Sequence, residues 1–146
     1  MSRKGFTLIE LLVVVAVLGI LATMSLPRLQ ATRQRASAAS MVSDLRNLLA
    51  SQESFFASYQ DYAAQLAAKE IAGPGTKGRV AQVPSPGNTV TITRRAPTAA
   101  NGAGWSAITS NPKVTNAKFN NCGVYIGHKS YAPNAAVKGE GAVACY

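Results

Sequence analysis

Read from the N-terminus, the chain changes its pattern of apolar and polar positions three times. Residues 1–5, Met1-Ser2-Arg3-Lys4-Gly5, are short, polar and basic. The next stretch is almost continuously apolar, with no charge for 17 residues between Glu10 and Arg28. The 22 residues from Phe6 to Pro27 would make a helix about 33 Å long, which matches a hydrocarbon core of roughly 30 Å. From Arg28 on, apolar residues recur at Ala38, Val42, Leu45, Leu48, Leu49, Phe55, Phe56 and Tyr59, mostly three or four apart. That is the stripe of an amphipathic helix. Neither Gly nor Pro interrupts Arg28 to Tyr59. The pattern therefore predicts one helix of 54 residues, Phe6 to Tyr59, about 80 Å long. A coiled coil is the rival, but Ala, Ser and aromatics on the stripe do not hold a heptad.

After Tyr59 the texture breaks. A short helix is expected over Ala63 to Ile71, stopped by Gly73-Pro74-Gly75. Val80 to Val83 reads as a weak strand, ended by Pro84-Ser85-Pro86-Gly87. Thr89-Val90-Thr91-Ile92-Thr93 alternates strictly and is rich in β-branched residues, so it reads as a strand. Trp105 to Thr109, Val124 to Ile126 and a terminal Val143 to Cys145 add three more. The expected class is α+β: a long N-terminal helix, its first half transmembrane, packed against a small antiparallel β-sheet head. The expected divisions are a leader at 1–5, a hydrophobic membrane or assembly helix at 6–27, an amphipathic helix at 28–59 and a globular head at 60–146.

Composition narrows the chemistry. Among 146 residues there are one His, two Asp and two Cys. This disfavours a His-based triad, a multi-His metal site and an EF-hand, and it excludes a four-Cys zinc site. No metal or cofactor is expected, and no enzymatic activity. His128 sits beside Lys129 and reads as a solvated surface residue. Gly73-Pro74-Gly75-Thr76-Lys77-Gly78 lacks the spacing of a phosphate loop and reads as a turn. The formal net charge is +9. In the head, Arg94-Arg95 is the densest cationic spot and the candidate contact for an anion or DNA. A solvated face is the favoured reading of the same pair.

Glu10 is the anomaly of the apolar run. A carboxylate held near a bilayer centre costs on the order of 2–3 kcal/mol. Either it snorkels to the interface, or it meets a cation. The nearest candidate cation is an amino group at Phe6, which exists only if the chain is cut after Gly5. A cleaved secretory signal is the competing reading of the whole segment. Ala22-Thr23-Met24 and Met24-Ser25-Leu26 fit its small-residue cleavage pattern poorly.

The stretch Arg3-Lys4-Gly5-Phe6-Thr7-Leu8-Ile9-Glu10-Leu11 closely resembles the processing motif of type IV prepilins. The resemblance is strong over about the first 30 residues and only general beyond them. It implies that a membrane-embedded prepilin peptidase and methyltransferase cuts between Gly5 and Phe6 and N-methylates Phe6. It implies that Glu10 pairs with the N-terminal amine of a neighbouring copy during assembly of a homo-oligomeric helical filament, aided by inner-membrane machinery. Gly19 and Pro27 match positions bounding a helix segment that loosens in family filaments. Cys122 and Cys145 enclose a 24-residue loop, whose closure is worth about 3 kcal/mol; two free buried thiols are the alternative, and the resemblance supports the bridge.

The implied location is the inner membrane, single-pass with a periplasmic head, and then a cell-surface pilus. The arginines at positions 28, 33 and 35 would argue for the opposite orientation by the positive-inside rule. The cleavage motif is more specific than that count. Three other readings share parts of the pattern: a type II secretion pseudopilin, a competence pilin binding DNA, and a plain single-pass tethered protein.

Overall fold

The computed structural model describes residues 5–73, 75 and 78–146, and of Pro27 only the backbone. Arg3 and Lys4 of the expected leader lie outside the described residues, as do positions 74, 76 and 77 of the glycine-rich turn. The chain forms two units, Met1–Arg33 and Gln34–Tyr146.

One helix, α1 (Leu8–Tyr59), runs through 52 residues. It starts two residues later than the apolar run because Thr7 serves as its N-cap rather than its first turn. Its other end is set by Gln60, which has a φ of 53° and donates its backbone N–H to the Phe56 carbonyl at 2.8 Å. A left-handed residue at this position is a standard helix stop, usually made with Gly.

In the first unit the described residues are this helix and its N-terminal flank. Its apolar side chains are exposed throughout, from 80% for Phe6 to 47% for Val14. In the second unit the helix buries Met41, Leu45, Leu48, Gln52 and Phe55, each at 0% exposure. The steps of four and three keep these five on one face. Ala38, Val42, Leu49 and Phe56 pack at its margins.

Six strands follow. β1 (Gln65–Ala67) and β2 (Arg79–Ala81) form a parallel pair. β3 (Thr89–Arg95), β4 (Gly104–Ser110), β5 (Asn121–Ile126) and β6 (Ala144–Cys145) form an antiparallel sheet in that order. The short helix expected over Ala63–Ile71 is not formed; that segment holds β1 instead. A run this short is marginal as an isolated helix, and its backbone is claimed elsewhere. Gln52 donates from Nε2 to the Ala63 carbonyl (2.8 Å) and accepts from the Ala63 N–H at Oε1 (2.9 Å). The Ala64 N–H donates to the Gly78 carbonyl at 3.1 Å.

Trp105, Ala107, Cys122 and Val124 reach from β4 and β5 into the core against the helix. The opposite face of β5 carries Tyr125, which clusters with Tyr131 and Val137 of the loop that follows. That loop contains a 3-10 turn, Lys129–Tyr131, capped by the His128 side chain. Cys122 and Cys145, register partners on β5 and β6, are joined by a disulfide.

One buried carboxylate fixes how the helix meets the loop before β3. Asp44 is 3% exposed and accepts from the Ser85 N–H (3.0 Å), the Ser85 hydroxyl (2.8 Å) and Asn88 Nδ2 (2.7 Å). Asn111, at the end of β4, extends the network by donating to Asn88 Oδ1 at 2.6 Å.

Candidate functional site

The N-terminus is organised by a reciprocal pair of hydrogen bonds that the periodicity does not reveal. Thr7 precedes the helix, and its Oγ1 accepts from the Glu10 N–H at 3.3 Å. Glu10 folds back, its Oε2 accepting from the Thr7 N–H (2.9 Å) and the Thr7 hydroxyl (2.7 Å). This is a capping box, Thr-x-x-Glu, which satisfies two N–H groups left unpaired at a helix start. Thr7 is the residue that sequence reasoning passed over. The signal was legible as a Thr three positions before the Glu.

The arrangement gives Glu10 a local reason to lie at this depth. Its charge faces the positive end of the helix dipole, and among the described residues both donors go to Oε2. Phe6, next to Thr7, stands 80% exposed. Gly5 has no other group within 4 Å of where a Cβ would sit. Gly5 and Phe6 are both exposed, respectively two residues and one residue before the Thr7–Glu10 box begins.

Farther along, Gly19 and Pro27 both lie inside an unbroken α1. Gly19 meets nothing within 4 Å. Pro27 brings no N–H, so the carbonyl one turn back has no backbone donor from it. The hydroxyls of this stretch bond the helix itself: Thr23 to the Ile20 carbonyl (2.7 Å) and Ser25 to the Leu21 carbonyl (3.0 Å). Such bonds let polar side chains sit in an apolar medium without an outside partner.

The two head arginines are not brought together. Adjacent residues of a strand point to opposite faces. Arg94 turns to Asp61, donating from Nε to Oδ1 (2.8 Å) and from Nη2 to Oδ2 (2.6 Å). Arg95 lies over the Tyr131 ring at 5.9 Å. The single cationic spot expected from the sequence is therefore split, and its inner member is already neutralised. Burial pushes the Asp61 carboxyl up, but the Gly75 N–H, the Arg94 guanidinium and the Tyr62 N–H outweigh it and hold the group below its ordinary value. Burial, together with the charges of Glu53 and Glu140, pushes the neighbouring Tyr62 hydroxyl up to about 12.

Among the described residues no cluster of three or more His, Cys, Asp or Glu is arranged to hold a metal. The architecture is α+β, with one helix among the described residues long and apolar enough to cross a membrane. Comparison with known proteins says which kind. Residues 1–26 match the model of the prokaryotic N-terminal methylation motif. The chain is 38% identical over 67 residues to the type IV major pilin protein PilA of Myxococcus xanthus, covering 44% of this chain and 30% of that one. It is 39% identical over 67 residues to the type IV wide pilus major component PilA4 of Thermus thermophilus, covering 46% and 51% respectively. Against the type II secretion system core protein G of Klebsiella pneumoniae it is 42% identical over 43 residues, covering 30% and 31%. The matches thus span at most about half the length of these relatives. In its N-terminal part the chain is thus similar to type IV pilins and to a type II secretion core protein.

Proposed function

We propose that the protein is a filament subunit made as a membrane-inserted precursor. Residues 1–5 act as a leader, cut before Phe6 by a prepilin peptidase that also methylates the new amine. Residues 6–27 then hold the subunit in the inner membrane, with the head (60–146) in the periplasm, carried on the amphipathic helix at 28–59. On assembly the apolar helices leave lipid and pack against one another in the core of a surface filament. The observation that carries this reading is the methylation motif on an apolar helix whose described side chains are exposed.

Glu10 has the central role. In the precursor Thr7 holds its carboxylate. In the filament Oε1 accepts from the amine of a neighbour's Phe6, pairing two charges that would each be costly alone in an apolar core. Gly19 and Pro27 mark where the helix loosens as subunits pack. The match to a secretion core protein supports a second reading, a short periplasmic pseudopilus built by the same steps.

Mass spectrometry of the mature N-terminus, with electron microscopy of material sheared from cells, tests both. A methylated Phe6 terminus with surface filaments is expected. Processing without surface filaments would favour the pseudopilus. A terminus at Met1 or Ser2 would overturn the processing step.

A further inference from the structure

The arginines just past the apolar segment sit where a periplasmic segment is ordinarily poor in positive charge, and this calls for a partner. No acidic residue occurs between Glu10 and Asp44, whereas Arg28, Arg33 and Arg35 all fall in that interval. Arg28 and Arg33 are both exposed. The one ion pair found among the described residues is Arg94 with Asp61. Arg28 is the first charge after Glu10, two positions past Leu26 and just before Leu29, which places it at the level of the lipid phosphates if the segment spans the bilayer.

The spacing of the pair limits what can bind it. Five residues of helix turn through about 140° net and rise about 7.5 Å. Arg28 and Arg33 therefore point to different sides of the helix, both within the depth of a headgroup layer, whereas the equally exposed Arg35 returns to the side of Arg28 but about 10.5 Å farther along the axis, beyond that layer. Two cations aimed at one acidic patch of a neighbouring protein would share a face. Cations set around the helix suit a partner that surrounds it, and headgroups do.

We propose that Arg28 and Arg33 form a collar that binds the phosphates of anionic phospholipids in the outer leaflet of the inner membrane. The collar retains the subunit at a fixed depth before assembly and is released when the helix leaves the bilayer. The proposal rests on the membrane reading above, and the test separates the two.

The full-length chain is reconstituted in vesicles of equal parts phosphatidylcholine and phosphatidylglycerol and washed with alkaline carbonate. Release by the wash would defeat the membrane reading and the collar with it. For retained protein, spin-labelled lipids report the preference of the first lipid shell for phosphatidylglycerol over phosphatidylcholine. Wild type should show a preference that falls about fivefold for each of Arg28→Gln and Arg33→Gln and that weakens in high salt. Lys138→Gln, at an exposed cation of the head, should leave it unchanged. Retained protein whose preference is the same with and without both arginines would overturn the collar. So would an equal loss in Lys138→Gln. Cross-linking between copies that needs the two arginines in phosphatidylcholine alone, with no lipid preference, would assign them to a second copy and overturn it as well.

Discussion

Thr7 and Glu10 divide one task between them. The hydroxyl caps the first turn and the carboxylate caps the cap, so an acid that looks misplaced in an apolar run is locally satisfied before any neighbour arrives. Glu10→Ala should leave insertion intact and abolish filaments seen by electron microscopy, whereas Thr7→Ala should fray the first turn at a cost of about 1 kcal/mol. Circular dichroism of a peptide covering the first helical turns would register the second effect.

Asp61 carries a pH signature. Its folded carboxyl lies below the ordinary value of 3.8, so its clasp on Arg94 and the Gly75 and Tyr62 N–H groups contributes in full above that value. The contribution disappears as pH falls through the lowered folded value. Thermal melts at stepped acidic pH should lose stability over that window, and Asp61→Asn should flatten this part of the profile. At Gln60 the left-handed backbone has the opposite lesson. Gln60→Gly removes a steric cost that only a Cβ incurs and should raise the melting temperature by a few degrees, on the order of 0.5–1 kcal/mol.

At the scale of elements, the long helix was legible because its two signals are strong: an unbroken apolar run, and then a three-four spacing with no Gly or Pro. Thr89–Thr93 was legible for the same kind of reason, as strict alternation in β-branched residues. What the pattern hid is that the buried face also carries polar groups. Asp44 and Gln52 lie among Met41, Leu45, Leu48 and Phe55, and their partners come from loops tens of residues later or just past the helix end. No local window contains those partners. The same blindness affected Ala63–Ile71, whose helical composition was overridden by Gln52 and by pairing of β1 with β2. At the site, Gly5, Phe6 and Glu10 could be read from the motif, but the division of Arg94 from Arg95 needed the strand's alternation to be applied to charges. Asp44→Ala should cost roughly 2–3 kcal/mol by stranding the donors of Ser85 and Asn88, measured by urea unfolding of the head. Gly104→Ala should also destabilise the sheet, because a Cβ there would run into the Ile126 carbonyl and the Tyr131 ring.

For the molecule as a whole, Ala38 is the first of the described residues in the core of the second unit. Residues 34–146 alone should therefore fold and melt cooperatively in water, without detergent. In that fragment, reducing the Cys122–Cys145 bond should lower stability by about 3 kcal/mol, the value expected for closing a loop of this size. A main core built on the helix stripe and a separate cluster of Tyr125, Tyr131 and Val137 under the last loop predict that reduction loosens the second more than the first. Hydrogen exchange at Tyr125 and at Leu45 would compare them.

The described apolar side chains of the oily segment are exposed, and the head's core is made from residues of its own unit. On the filament reading proposed above, exchanging a lipid surrounding for a proteinaceous one is an operation on a handle. The folded cargo can ride through extraction and polymerisation with its interior undisturbed, and any change in its melting point between bilayer and fibre would report new contacts among heads alone.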